Sequence, residues 1–332
     1  MNIYKKREFP VELYLHEILL NRVYPNFRKR QEIEKNLMWR KAGYYGEQNV
    51  DYHLSHLKDY SLTVIHNLRL SLNGIYFQID TLILSAFFTL ILEVKNIAGI
   101  LRFDPHYDQL IRSYDQKIER LPNPLHQATR QKNLLNQWLR KNFNLTMPIE
   151  FFIVNTNQST IIEASPESKP IFNKILHAES LNEAITLAQR RYARSSITEK
   201  QLGSISERIV KEHSPHFPNL LNTYKMSSSD IIKGIRCVNC SSFSMERIHG
   251  TWLCPKCGEK DKTAHVQAIL DYLFLIDSTI TNKEARDFLK TSSPTVVKKL
   301  LQSMNLPSTG TGKYRIYHRP SIQEILTNGV GY

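Results

Sequence analysis

Asp80, Glu93 and Lys95 are the only charged residues in the stretch Gln78–Lys95, which reads Q-I-D-T-L-I-L-S-A-F-F-T-L-I-L-E-V-K. Burying a carboxylate among Ile, Leu and Val costs several kcal/mol unless something compensates it, so acids kept in such company point to chemistry rather than solubility. Two carboxylates on one face can share a hard divalent cation. An ammonium beside them can orient a water or neutralise charge developing on phosphorus. A second set of reactive side chains lies in the C-terminal third, where Cys237, Cys240, Cys254 and Cys257 form two C-x-x-C pairs and account for all 4 cysteines of the chain. In a reducing compartment this spacing reads as a tetrahedral Zn²⁺ site, with Gly258 letting the second knuckle turn. Four thiolates leave no position for an activated water, so such a zinc would be structural.

The acids need a scaffold that presses them together. Tyr76 to Leu84 and Phe88 to Lys95 lack Pro and Gly, are rich in Ile, Leu, Phe and Thr, and are short enough to be strands. A hairpin turning at Ala86 and Phe87 sets Ser85 opposite Phe88 and, counting back, Asp80 opposite Glu93, with side chains roughly 5 Å apart. Glu93 and Lys95 then face one side, Leu92 and Val94 the other. The turn S-A-F-F has no Asn-Gly or Asp-Gly signature, which leaves a slip of one residue open.

Around the hairpin, helical patterns occupy V-E-L-Y-L-H-E-I-L-L, then F-R-K-R-Q-E-I-E-K-N-L-M-W-R, and a separate helix is expected from Gly43 to Leu57. A strand at Leu62 to Leu70 leads through Asn73-Gly74 into the hairpin. Asn123-Pro124 opens a helix that runs to Leu139, and Ile149 to Asn155 is a further strand. This is an α/β domain of helix, three-stranded meander, helix and strand. The expected divisions are a helical extension at 1–40, the α/β domain at 41–160, a helical region and linker at 161–230, a four-Cys zinc module at 231–262 and a helical domain at 263–332. Three short helices, a Thr281/Glu284 capping box and the basic hairpin G-T-G-K-Y-R-I-Y suggest a winged helix-turn-helix. Lys298 and Lys299 would lie on its third helix, and Lys313 and Arg315 on its wing. A small helical cap on the zinc module would show the same periodicity.

A formal charge of +13 over 332 residues favours a polyanionic partner, nucleic acid rather than a membrane surface. No apolar stretch is long enough to span a bilayer, and M-N-I-Y-K-K-R-E-F-P is not followed by the apolar core of a signal peptide, so the expected location is cytoplasmic.

The segments G-Y-Y-G-E-Q-N-V, Q-I-D-T-L-I-L, L-E-V-K-N-I-A-G-I and N-P-L-H-Q-A, in that order, resemble the nuclease-related domain family of the PD-(D/E)xK phosphodiesterase superfamily. The resemblance covers about residues 40 to 155. It implies a restriction-endonuclease-like core, a helix glutamate at Glu47, metal-binding Asp80 and Glu93, a catalytic lysine at Lys95 and a helix glutamine at Gln127. It further implies DNA cleavage with Mg²⁺ or Mn²⁺. Ile79 stands where the superfamily's name puts Pro. Glu47 could instead serve only the helix dipole, and Gln127 only the surface. The competing functions are a catalytically inactive nuclease-fold protein that binds or regulates through DNA, and an RNA-processing factor with a zinc ribbon.

Overall fold

The computed structural model describes residues 1–57, 61–104, 106–164 and 173–327. In chain order it begins with strand β1 (Asn2–Lys5) and helices α1 (Val11–Arg22) and α2 (Arg30–Ser55). Strands β2 (Thr63–Leu72), β3 (Ile75–Leu84), β4 (Thr89–Lys95), β5 (Ile100–Asp104), β6 (Gln109–Tyr114) and β7 (Lys117–Leu121) follow. Helix α3 (Pro124–Phe143) crosses to β8 (Ile149–Asn155), then β9 (Ile161–Ala164), β10 (Ile175–His177), α4 (Leu181–Arg191) and α5 (Glu199–Lys211). The chain divides into two compact units, Met1–Glu8 with Lys41–His216, and Phe9–Arg40 with Phe217–Tyr332.

The first unit is built on a six-stranded mixed sheet in the order β1-β2-β3-β4-β8-β10. β2, β3 and β4 form the antiparallel meander, whereas β4, β8 and β10 run parallel. Helix α3 makes the β4-to-β8 crossover. It starts at Asn123, whose side chain caps Leu125 N–H, with Pro124 in the first turn where a missing donor costs nothing. Its buried face of Ala128, Leu135, Trp138 and Leu139 covers Ile79, Leu82, Ile91 and Ile153 on one side of the sheet. On the other side Val50 and Leu54 of α2, with Leu181, Ile185 and Ala188 of α4, cover Val64, Ile83, Leu90, Leu92 and Val154. The alternation along β4 follows from the period of two in a strand. A second sheet, β7-β6-β5-β9, takes β5, β6 and β7 from the segment between β4 and α3 and β9 from beyond β8, and contributes Leu101, Phe103 and Leu110 to the α3-side core.

The sequence suggests two helices over residues 27 to 57, but one continuous α2 spans them. In the sequence Gly43 looks like the start of the second helix, with Gly46 in its first turn. Their absence of side chain is tolerated within the helix, and Gly46 is needed where α2 meets the ends of β4 and β8. A Cβ there would lie 2.7 Å from Thr156 Oγ1 and 3.1 Å from Asn96 Cβ.

The second unit holds α1, the start of α2, a three-stranded sheet β11 (Glu246–Ile248), β12 (Thr251–Leu253) and β13 (Lys260–Asp261), and three longer helices. These are α6 (Ala264–Leu275), α7 (Asn282–Leu289) and α8 (Pro294–Ser303). The capping box at Thr281 and Glu284 is present. Strands β14 (Thr279–Thr281), β15 (Ser308–Thr309) and β16 (Ile316–His318) form a sheet in the order β14-β16-β15. Arg22, 1% exposed, anchors this unit from inside. It pairs with Asp271 at 2.6 Å, donates to the carbonyls of Ile232 and Gly234, and stacks on Phe243 and Phe288. Among the described residues no helix is long and apolar enough to cross a membrane.

Candidate active site

The β3–β4 ladder pairs Thr81 with Leu92 and Leu84 with Thr89, closed by Ser85 N–H to the Phe88 carbonyl at 3.1 Å. This is the register that puts Asp80 level with Glu93. The ladder itself stops one pair short. Instead of a backbone bond, Asp80 Oδ2 accepts from the Val94 N–H at 2.9 Å, while β4 continues pairing with β8 through Glu93, Val94 and Lys95.

The reason lies in a defect in β2 and β3. The pair Asn67–Asp80 drops out between His66↔Thr81 and Leu68↔Ile79. Asn67 is left-handed, with φ +47°, a conformation Asn tolerates better than most residues. Ile65 and Leu68, three apart on β2, both join the α3-side core, as do Leu82 and Ile79 on β3. In an unbroken strand they would face opposite ways. The local twist releases Asp80 from the pleat and lets its carboxylate reach β4.

Glu93, 1% exposed, points to the α3 side of the sheet. Its Oε1 accepts from Lys95 Nζ at 2.6 Å and its Oε2 from Gln131 Nε2 at 2.7 Å. Lys95 Nζ also donates to Gln127 Oε1 at 3.2 Å, and Gln131 donates to the Gln78 carbonyl at 2.8 Å. Gln127 and Gln131, one turn apart on α3, therefore hold Lys95 and Glu93 respectively. Glu47, on α2, binds Arg7.

The acids are electrostatically linked. Burial, then the Asp80 charge, pushes the Glu93 carboxyl up to about 7. The same two causes push Glu47 up to about 7. Burial also raises Asp80, against the lowering effects of the Val94 N–H, Lys95 and Arg7. Among the described residues the four cysteines form a cluster of three or more metal-type ligands, whereas Glu47, Asp80 and Glu93 do not. The protein side of a cation site here would thus be two carboxylates, the rest of the shell coming from other oxygens, as Mg²⁺ prefers.

Sequence reasoning names Glu47, Asp80, Glu93, Lys95 and Gln127, and hydrogen bonds link Glu93, Lys95 and Gln127 directly. It misses Gln131 and Arg7. Gln131 carried a signal, since it follows Gln127 by four residues in a helix. Arg7 carried none, being distant in sequence from every group it binds. The basic residues of the second unit fall as follows: Lys298 and Lys299 are exposed on α8, while exposed Lys313 and partly buried Arg315 lie between β15 and β16.

The four cysteine sulfurs converge within 4.8 Å of one another, a metal-binding arrangement. The two knuckles repeat one backbone geometry. Ser241 N–H donates to the Cys237 carbonyl at 2.9 Å and Gly258 N–H to that of Cys254 at 2.8 Å, both residues being left-handed. A hydrogen bond from Ser242 lowers the Cys254 thiol to about 5, towards the thiolate that a metal requires.

Residues 42–156 match the family model described as nuclease-related domain. That span contains Glu47, Asp80, Glu93, Lys95 and Gln127, and leaves Arg7 and the cysteines outside. No curated protein and no solved structure matches the chain significantly.

Proposed function

We propose that this protein is a metal-dependent nuclease that hydrolyses DNA phosphodiester bonds, with Asp80 and Glu93 as metal ligands and Lys95 as the catalytic lysine. The observation that carries the reading is the junction of Asp80 with the Glu93–Lys95–Gln127 chain, inside a segment that matches a nuclease-related domain. The donor set fits a hard cation. Two buried acids, Asp80 raised in pKa by burial and Glu93 by burial and the Asp80 charge, are stabilised by a divalent charge between them, and Gln131 Oε1 is a buried acceptor with no hydrogen-bond partner. Mg²⁺ or Mn²⁺ held there supplies Lewis-acid stabilisation of phosphate charge and acidifies a water. Lys95 orients the attacking water and meets negative charge that grows on the phosphate. Gln127 holds the Lys95 ammonium, Gln131 holds the Glu93 carboxylate, and Glu47 supplies a further acid at the edge of the site.

In the second unit the sulfur set fits structural Zn²⁺, all four positions being filled by thiolates. The order of helices and strands from α6 to β16 fits a winged helix-turn-helix, in which Lys298, Lys299, Lys313 and Arg315 contact DNA phosphates. The formal charge of +13 suits that partner. Functionally, 41–160 is the catalytic segment, 231–262 the zinc module and 263–332 the DNA-binding segment.

The test is incubation of the purified protein with plasmid, linear duplex, single-stranded DNA and RNA, each with Mg²⁺ and with EDTA. DNA cleavage that disappears in EDTA and in Asp80→Ala supports the proposal. Cleavage surviving both changes, or no cleavage of any substrate, overturns it, and cleavage of RNA alone moves the substrate class to RNA.

A further inference from the structure

We propose that Arg7 is a positioning residue of this site, so that the N-terminal segment, which lies outside the matched domain, completes the catalytic unit; the inference rests on the nuclease reading. β1 runs parallel to β2, pairing Asn2 with Thr63 and Ile3 with Val64, and carries Arg7 to the broken part of the ladder. The Arg7 side chain is only 4% exposed, and its guanidinium is used on every side. Nε and Nη2 clamp the two oxygens of Asp51 at 2.7 and 2.9 Å. Nη1 meets the Glu47 carboxylate and donates to Asn67 Oδ1 at 2.9 Å and to the carbonyl of Asp80 at 3.3 Å. Nη2 also reaches Thr81 Oγ1 at 2.8 Å and His66 Nδ1 at 3.0 Å.

These contacts fall where strand pairing fails. Asn67 and Asp80 have lost their ladder partners, so nothing in the β2–β3 backbone pairing fixes the Asp80 carbonyl and hence the direction of its side chain. Arg7 supplies that restraint, tying the Asp80 backbone to the acids of α2. It also spends Glu47 on the clamp, which agrees with Glu47 lying outside a tight three-acid group. Lysine cannot replace it, because a single ammonium does not reproduce a planar fork that serves two carboxylates and four strand groups at once.

The experiment is Mn²⁺ titration calorimetry and DNA-cleavage kinetics on the full chain, the variants Arg7→Lys and Glu47→Gln, and their double variant. Leu54→Ala, which opens a cavity in the α2 core, serves as a comparator for lost stability. Arg7→Lys is expected to weaken Mn²⁺ binding about 10–100-fold, as outer partners of metal ligands do, and to lower kcat with KM for DNA unchanged. The double variant should lose no more than the worse single one, and Leu54→Ala should bind Mn²⁺ like the parent. If Arg7→Lys fails to fold, Asp51→Asn loosens the same clamp with the Arg7 charge retained, and it too should weaken Mn²⁺ binding. Arg7→Lys, or in its place Asp51→Asn, binding Mn²⁺ as the parent does overturns the inference alone. A parent that binds no Mn²⁺ overturns it together with the nuclease reading, whereas Mn²⁺ binding that needs Arg7 without any cleavage overturns only the latter.

Discussion

Asp80→Asn is expected to make the metal-free protein more stable while removing its response to divalent ions. Asparagine has the shape of aspartate and can still accept from the Val94 N–H through Oδ1, so the bond that joins β3 to β4 survives. What disappears is a charge that Glu47 and Glu93 both feel. Each is pushed from 4.5 up to about 7, with Asp80 the second cause after burial. A shift of that size corresponds to a penalty of ~3 kcal/mol on each ionised form above pH 7. Asp80 is responsible for the smaller share, and solvent reaches part of Glu47, so relief of about 1–2 kcal/mol at pH 8 is expected. The sign follows from the raised folded-state values. These carboxyls favour the folded state most below pH 4.5, and that contribution is lost as pH rises through 7. Denaturant unfolding in EDTA at pH 5 and pH 8 reads the effect: the variant should gain on the parent between the two. With Mg²⁺ or Mn²⁺ at 100 times its Kd the parent should recover about 2.7 kcal/mol, and the variant almost nothing. A difference between variant and parent that is the same at both pH values, or a variant less stable at pH 8 in EDTA, would refute the reasoning.

Gln131→Leu removes the donor that holds Glu93 Oε2 and the Gln78 carbonyl, so it should lower kcat about tenfold and, with two buried acceptors left unpaired, lower stability by about 1–3 kcal/mol; an unchanged kcat counts against the positioning role. His16, 1% exposed, donates from Nδ1 to the Glu12 carbonyl at 2.6 Å and accepts at Nε2 from the Tyr224 hydroxyl at 2.9 Å, and burial lowers it to about 4. The unfolded chain takes up that proton near 6.5, so stability should fall by about 2–3 kcal/mol as pH drops from 6.5 to 4, and a His16→Gln variant should lack that component of the pH dependence. Gly258→Ala meets no neighbour but forces a left-handed backbone at φ +80°, so unfolding of the zinc-loaded chain should show a loss of about 1 kcal/mol. Chelation should release one zinc per chain, detectable with a colorimetric indicator, and abolish any protection of Cys237, Cys240, Cys254 and Cys257 from alkylation.

The hairpin register was legible because both runs have strand composition and only one turn fits between them, and the start of α3 because Asn123-Pro124 carries its own capping chemistry. The knuckles follow from cysteine spacing and Gly258. Other features depend on partners far away in sequence. Asn67 shows no local sign that it breaks a ladder. Gly46 reads as part of the first turn of a new helix until Thr156 and Asn96 are seen against it. The second sheet escaped notice because β5, β6 and β7 are short, polar strands whose few buried residues, such as Leu101 and Leu110, gain meaning only on the α3 core. Arg7 belongs to the same class, since its six partners on α2, β2 and β3 come together only in the folded unit.

Lys95 gives the most direct test of the catalytic claim, because it is held by Glu93 and Gln127 yet is not one of the two acids assigned to the cation. Single-turnover nicking of plasmid DNA at saturating Mg²⁺ should fall about 10²–10⁴-fold in Lys95→Ala, with Mn²⁺ affinity within a few-fold of the parent. Equal nicking rates for the two proteins would contradict the account.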